Sequence, residues 1–66
     1  MKIAELFERC ANLGAGSHWE VRDLEDEYMH DGDYTSVYAN FDWGYRVVDF
    51  LIVDDRNVVI WVKEKE

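Results

Sequence analysis

The chain has no proline, one cysteine (Cys10), two histidines and only seven basic residues against fifteen acidic ones. A single cysteine rules out an internal disulfide and fits a reduced, intracellular setting. No Cys/His spacing of the zinc type occurs, so no structural metal or cofactor is expected. The longest apolar runs, 50–53 and 58–62, are far too short to span a bilayer. Met1-Lys2 leads into an amphipathic stretch and not a continuous apolar one, so no targeting segment is expected. The shortage of bases argues against direct binding to nucleic acid or anionic lipid, where attraction to phosphate dominates affinity. A soluble, cytoplasmic protein is the expectation.

What is present is apolar and acidic. Hydrophobic residues make up 48% of the 66 positions and aromatics 15%, too rich for a disordered acidic chain. A single domain of this size buries only about 60% of its extended surface and commonly needs extra support. With disulfide and metal absent from the pattern, self-association is the most available source, and a homodimer is expected.

Residues 2–13 read as a helix, with Ile3, Leu6, Phe7 and Cys10 on one face and Gly14 at the left-handed stop. Cys10 belongs to that apolar face, where it acts as a small buried side chain and not a nucleophile. Residues 17–30 allow two readings. Ser17 and Glu20 match a capping box, and Val21, Leu24 and Tyr28 share a helical face, which favours a second helix. Trp19 and Val21 alternate as in a strand, but Asp23 interrupts that pattern. Segments 34–41, 45–53 and 58–64 are rich in Val, Ile, Tyr, Phe and Trp and read as strands, with Trp43-Gly44 and Asp55-Arg56 as two-residue turns.

The expected fold is therefore α+β: two N-terminal helices packed on one face of a three-stranded antiparallel β-meander. The alternative is one helix with a four-stranded antiparallel sheet. With those turns, Ile52 pairs with Val59 and Phe50 with Trp61, and Thr35, Val37, Ala39, Phe41, Val48, Phe50, Ile52, Val59 and Trp61 face the helices. The opposite face, with Val47, Leu51, Val53, Val58, Ile60 and Val62, is too apolar to be left in water and is the candidate dimer interface. A change of one residue in turn length would exchange the two faces.

The densest feature is acidic. Between positions 20 and 33 lie Glu20, Asp23, Glu25, Asp26, Glu27, Asp31 and Asp33, opposed by Arg22 alone, within a chain of formal net charge -8. One reading is a solvated face that keeps a tiny protein soluble. The other is a carboxylate array that meets a basic groove in place of phosphates. Glu27, His30, Asp31 and Asp33 are also close enough in sequence to suggest an oxygen-rich metal site, but Asp31-Gly32-Asp33 lacks the rest of an EF-hand loop and Asp-Gly is a common turn. Asp54 and Asp55 sit at a turn, Asp49 is isolated, and so small a chain has little room for a substrate pocket. No catalytic residue is assigned. Tyr34, Tyr38 and Trp43 join the carboxylates as partner-binding candidates, because such amphipathic rings favour protein contacts. In size, charge and lack of catalytic equipment, the chain is similar to the small acidic inhibitors that phages and mobile elements direct against host restriction, CRISPR or transcription proteins. That likeness implies a basic, nucleic-acid-binding protein as partner.

Overall fold

The computed structural model describes residues 1–14 and 16–65. It is α+β, as expected, but the helices and strands are dealt out differently. The order is α1 (Ile3–Arg9) with a 3-10 turn at Ala11–Leu13, β1 (His18–Arg22), β2 (Tyr28–Asp33), α2 (Tyr34–Phe41), β3 (Tyr45–Ile52) and β4 (Asn57–Glu64). The sheet is four-stranded and mixed, in the order β2-β1-β4-β3, with β1 parallel to β4 and the outer pairs antiparallel. Neither the three-stranded meander nor the all-antiparallel alternative is adopted.

The first helix forms where the apolar spacing puts it. Ile3, Leu6 and Cys10 are buried. The α-helix itself ends at Arg9 with Cys10 as its C-cap, short of the expected stop, and Gly14, at a φ of 76° that favours glycine, ends the 3-10 turn that follows. Ser17 does not cap a helix. Its buried hydroxyl lies 2.6 Å from the Leu13 carbonyl oxygen and 2.9 Å from that of Gly14, and it ties the turn into β1.

The expected second helix over 17–30 is instead a β-hairpin. Trp19 and Val21 are fully buried while His18, Glu20 and Arg22 alternate with them, a period of two. Asp23, which interrupts the alternation in the sequence, builds the turn. Its Oδ1 accepts the amides of Glu25 (2.8 Å) and Glu27 (3.0 Å), and its own amide donates to the Glu27 carbonyl. Asp26 takes the left-handed conformation at a φ of 66°, which aspartate tolerates better than most residues.

The expected strand over 34–41 is helix α2. Asp33 is its N-cap, accepting the Ser36 amide at 2.9 Å and the Thr35 hydroxyl at 3.0 Å. Tyr34, Val37, Tyr38 and Phe41 follow at i, i+3, i+4 and i+7, and Val37 and Phe41 are buried. Gly32 admits this helix to the sheet: a Cβ there would stand 3.0 Å from Ser36 Oγ and 3.2 Å from Ser36 Cβ.

The β3–β4 hairpin forms as expected, one residue out of the expected register. Ile52 pairs with Val58, Phe50 with Ile60 and Leu51 with Val59. The turn closes through the Val53 amide on the Asn57 carbonyl, and Asp54 accepts the Arg56 amide and both contacts from Asn57 Nδ2. That slip exchanges the faces of β4, while Phe50 and Ile52 of β3 keep to the helix side and Leu51 to the other. Val58, Ile60 and Val62 point at the helices, and a bulge between Val47 and Asp49 returns Val47 to the same side. Four members of the candidate dimer face, Val47, Val58, Ile60 and Val62, therefore form the core with Trp19, Val21, Ile3, Leu6, Val37 and Phe41. Leu51 and Val53 stay exposed.

Among the described residues no helix is long and apolar enough to cross a membrane.

Candidate acidic interaction surface

Both helices lie on one side of the sheet, so the other side is open. Register and burial place His18, Glu20 and Arg22 of β1, Asp31 and Asp33 of β2, Val59 and Trp61 of β4, and Asp49 and Leu51 of β3 on this side. Glu20 stands directly opposite Asp31, an unfavourable pairing of like charges. Each acid is answered by a neighbour on the same surface. Arg22 Nε pairs with Glu20 Oε2, and His18 Nε2 lies 3.2 Å from Asp31 Oδ2.

Two small networks result. In the first, Arg22 bridges Glu20 and Asp26, contacting the Asp26 carboxylate at 3.3 Å and its carbonyl at 3.0 Å. The indole N–H of Trp61, on the neighbouring strand, donates to Asp26 Oδ1 at 2.8 Å and ties the hairpin tip to β4. The indole hydrogen bond, followed by the Arg22 charge, holds the Asp26 carboxyl below its usual pKa. In the second network the Tyr28 hydroxyl donates to Asp31 Oδ1, which raises the phenol pKa. Asp33, as the cap of α2, is also held low, chiefly by the Ser36 amide and then by the Thr35 hydroxyl.

All seven predicted carboxylates thus belong to one hairpin and its exit. Five of them hold structure: Glu20, Asp23, Asp26, Asp31 and Asp33 each accept a hydrogen bond or ion pair named above. Glu25 and Glu27, by contrast, take no side-chain hydrogen bond or ion pair among the described residues, and both are exposed. Carboxylate oxygens of Asp23, Glu25 and Glu27 come within 4.8 Å of one another at the hairpin tip. Three such oxygens suit a hard divalent cation or the guanidinium and ammonium groups of a protein. The other quartet, Glu27, His30, Asp31 and Asp33, is not assembled. His30 lies on the helix side of β2, its Nε2 3.1 Å from Ser36 Oγ, while Asp31 and Asp33 lie on the open side.

The aromatic candidates separate. Tyr34 packs against Phe7 with ring centroids 3.8 Å apart and against Trp19 at 5.7 Å, and its phenol pKa is raised, mainly by burial. It is a packing residue at the core's edge. Tyr38 is partly exposed, and Trp43, at 87% exposure, is free of the core. Two residues that sequence reasoning passed over belong to the surface. Tyr28 is exposed at the hairpin and Leu24 is 64% exposed at its tip. The signal for Leu24 was an apolar residue inside a turn of acids, where no core can reach it.

The hairpin tip, the start of β3 and the end of β4 lie at the same end of the sheet, because β1 and β4 run in parallel and β3 runs against them. Between them opens a cleft of about 460 Å³. Its rim includes Asp23, Glu25 and Glu64 and its floor Met29, Tyr45 and Val62, with Lys63 on the lip. Trp43 precedes β3 at this same end.

No protein-family model, curated protein or solved structure matches this chain.

Proposed function

We propose that this protein is a small acidic interaction module that occupies the nucleic-acid-binding groove of a basic partner protein and blocks it. A phage- or mobile-element-borne inhibitor of a restriction, CRISPR or transcription protein, acting in the cytoplasm, is the form this takes. The observation that carries the reading is the β1–β2 hairpin, which with its exit gathers seven carboxylates and a single arginine into one part of the sheet. Their hydrogen bonds to Asp23, Asp26, Asp31 and Asp33 hold the backbone that presents them, so little ordering entropy is lost on docking. Asp31 and Asp33, two residues apart on β2, repeat at about 6.8 Å, close to two 3.4 Å steps of a nucleic-acid strand, while Asp23, Glu25 and Glu27 cluster at the hairpin tip.

The cleft beside the hairpin suits one long cationic side chain. An aliphatic stem would lie on Met29 and Tyr45 while its charged head meets Asp23 and Glu25. Leu24 and Trp43 supply exposed apolar area at the same end, where buried aromatic contacts slow dissociation and peripheral charges speed encounter.

The test is recovery of partners from bacterial lysate on the immobilised protein, repeated with duplex DNA as competitor and with the variant Glu25→Lys/Glu27→Lys. These two positions leave every hydrogen bond of the hairpin in place. The expected result is a nucleic-acid-binding protein that duplex DNA displaces and that the variant binds about tenfold or more weakly. Recovery indifferent to both DNA and the charge reversal would sink the reading.

A further inference from the structure

The two edges of the sheet differ in kind. Strand β2 is acidic, whereas β3 carries Val48, Phe50, Leu51 and Ile52, followed by Val53, all exposed, with Leu51 at 54% and Val53 at 57%. A flat apolar edge is a template for strand pairing, and natural proteins leave one open mainly where something docks. We infer that the β3 edge pairs antiparallel with β3 of a second copy, joining two four-stranded sheets into one of eight strands.

The backbone directions support this. The Val53 amide donates to Asn57 of β4, so by alternation the amide of Leu51 also faces β4 while those of Phe50 and Ile52 face outward. Nearer the start of the strand the Val47 amide is already taken by the Met1 carbonyl at 2.7 Å, which confines the free edge to 48–53. A two-fold centred on Leu51 sets Phe50 of one copy opposite Ile52 of the other, twice. It forms backbone hydrogen bonds at both pairs and packs Leu51 against its own symmetry mate.

Charge selects a second copy in this orientation. Around the start of β3, Lys2, Arg46, Lys63 and Lys65 outnumber Asp42 and Glu64, while the turn beyond its far end carries Asp54 and Asp55 against Arg56. Antiparallel pairing sets the net-positive start of each β3 beside the other copy's net-negative turn, with Arg46 itself opposite Arg56 and the remaining bases nearer Asp54 and Asp55. A parallel arrangement would set like against like. The acidic hairpins, at the outer edges, stay as far apart as the sheet permits, as two chains of charge -8 require.

Asp49 moderates the contact. Its carboxylate accepts the outward Phe50 amide at 2.8 Å and must release it before the edge can pair. The surface is a different one from the hairpin, and its test contains no partner protein. A monomeric result leaves the groove-blocking reading intact, and failure of that reading leaves this one intact.

The test is sedimentation equilibrium from about 10 µM to 1 mM, with the wild type, Leu51→Lys and Asp49→Ala. The expected wild-type mass rises from that of one 7.9 kDa chain towards twice it. Leu51→Lys, at an exposed position, keeps its circular dichroism and raises the dissociation constant about tenfold or more by setting two like charges face to face. Asp49→Ala lowers the constant by freeing the Phe50 amide. A wild type monomeric throughout, a Leu51→Lys protein that dimerises like wild type, or an Asp49→Ala protein no tighter than wild type would each overturn the paired edge.

Discussion

Asp33 ends β2, caps α2 and contributes to the acidic surface, all through one carboxylate. Asp26 joins the hairpin tip to Trp61, and Asp54 closes the last turn in the same manner. All three carboxyls are held below their usual pKa by hydrogen bonds made in the folded state, from the Trp61 indole to Asp26 and from backbone amides to Asp33 and Asp54. A carboxyl whose folded pKa lies below its unfolded value of 3.8 stabilises the fold fully above that value. The contribution is lost as pH falls through the folded pKa. Urea midpoints are therefore expected to be level from about pH 7 to 5 and to fall below about pH 4. Asp33→Asn, which keeps a capping oxygen but cannot titrate, should fall less steeply. A variant that tracks the wild type across the acid range would show that Asp33 does not contribute to the transition.

The elements are decided by which side of the β3–β4 hairpin is buried. Val58, Ile60 and Val62 sit under the helices, with Val59 and Trp61 across the sheet, because the turn at 53–57 is one residue away from a two-residue loop. The alternative register makes the reverse demand on β4, so substitutions in that strand separate the two. Ile60→Val removes a methylene from the core and is expected to cost about 1 kcal/mol. Val59→Thr, a change of similar volume on the open side of the sheet, is expected to stay within about 0.5 kcal/mol in dilute, monomeric protein, whereas the other register would bury its hydroxyl under the helices. Denaturant unfolding of both variants checks this, and a larger loss for Val59→Thr than for Ile60→Val would restore the other register. In α2 the deciding features are the Asp33 cap and the spacing of Tyr34, Val37, Tyr38 and Phe41. The same residues also satisfy an alternating pattern at Thr35, Val37, Ala39 and Phe41. An eight-residue segment fits both periods, and the close seat that Gly32 gives Ser36 is a tertiary contact.

Taken whole, the molecule measures 30 × 20 × 17 Å and carries a net charge of -8. These dimensions are only two or three screening lengths at about 0.1 M salt, where the Debye length is about 10 Å. Self-repulsion therefore acts across the entire protein. The exposed ion pairs of Arg22 offset little of it, since such pairs are individually weak. Raising sodium chloride from about 0.02 M to 0.5 M is expected to increase the melting temperature by several degrees. A temperature that stays flat or drops would mean that the hairpin's own ion pairs outweigh the repulsion.

The local sequence specified what short-range chemistry can specify. The apolar spacing of α1, the β-rich hairpin of β3 and β4, the buried role of Cys10 and the gathering of acids between Glu20 and Asp33 each rest on neighbours within a few positions. Contacts across the chain settled the rest. Trp19 and Val21 form a strand because Val58 and Ile60, nearly forty residues later, run parallel beside them and bury them. Without that partner strand, Val21, Leu24 and Tyr28 match a helix equally well. The core face of β4 depended on a one-residue difference at a turn, to which composition and periodicity are blind, while the packing of helices against Ile60 and Val62 is not.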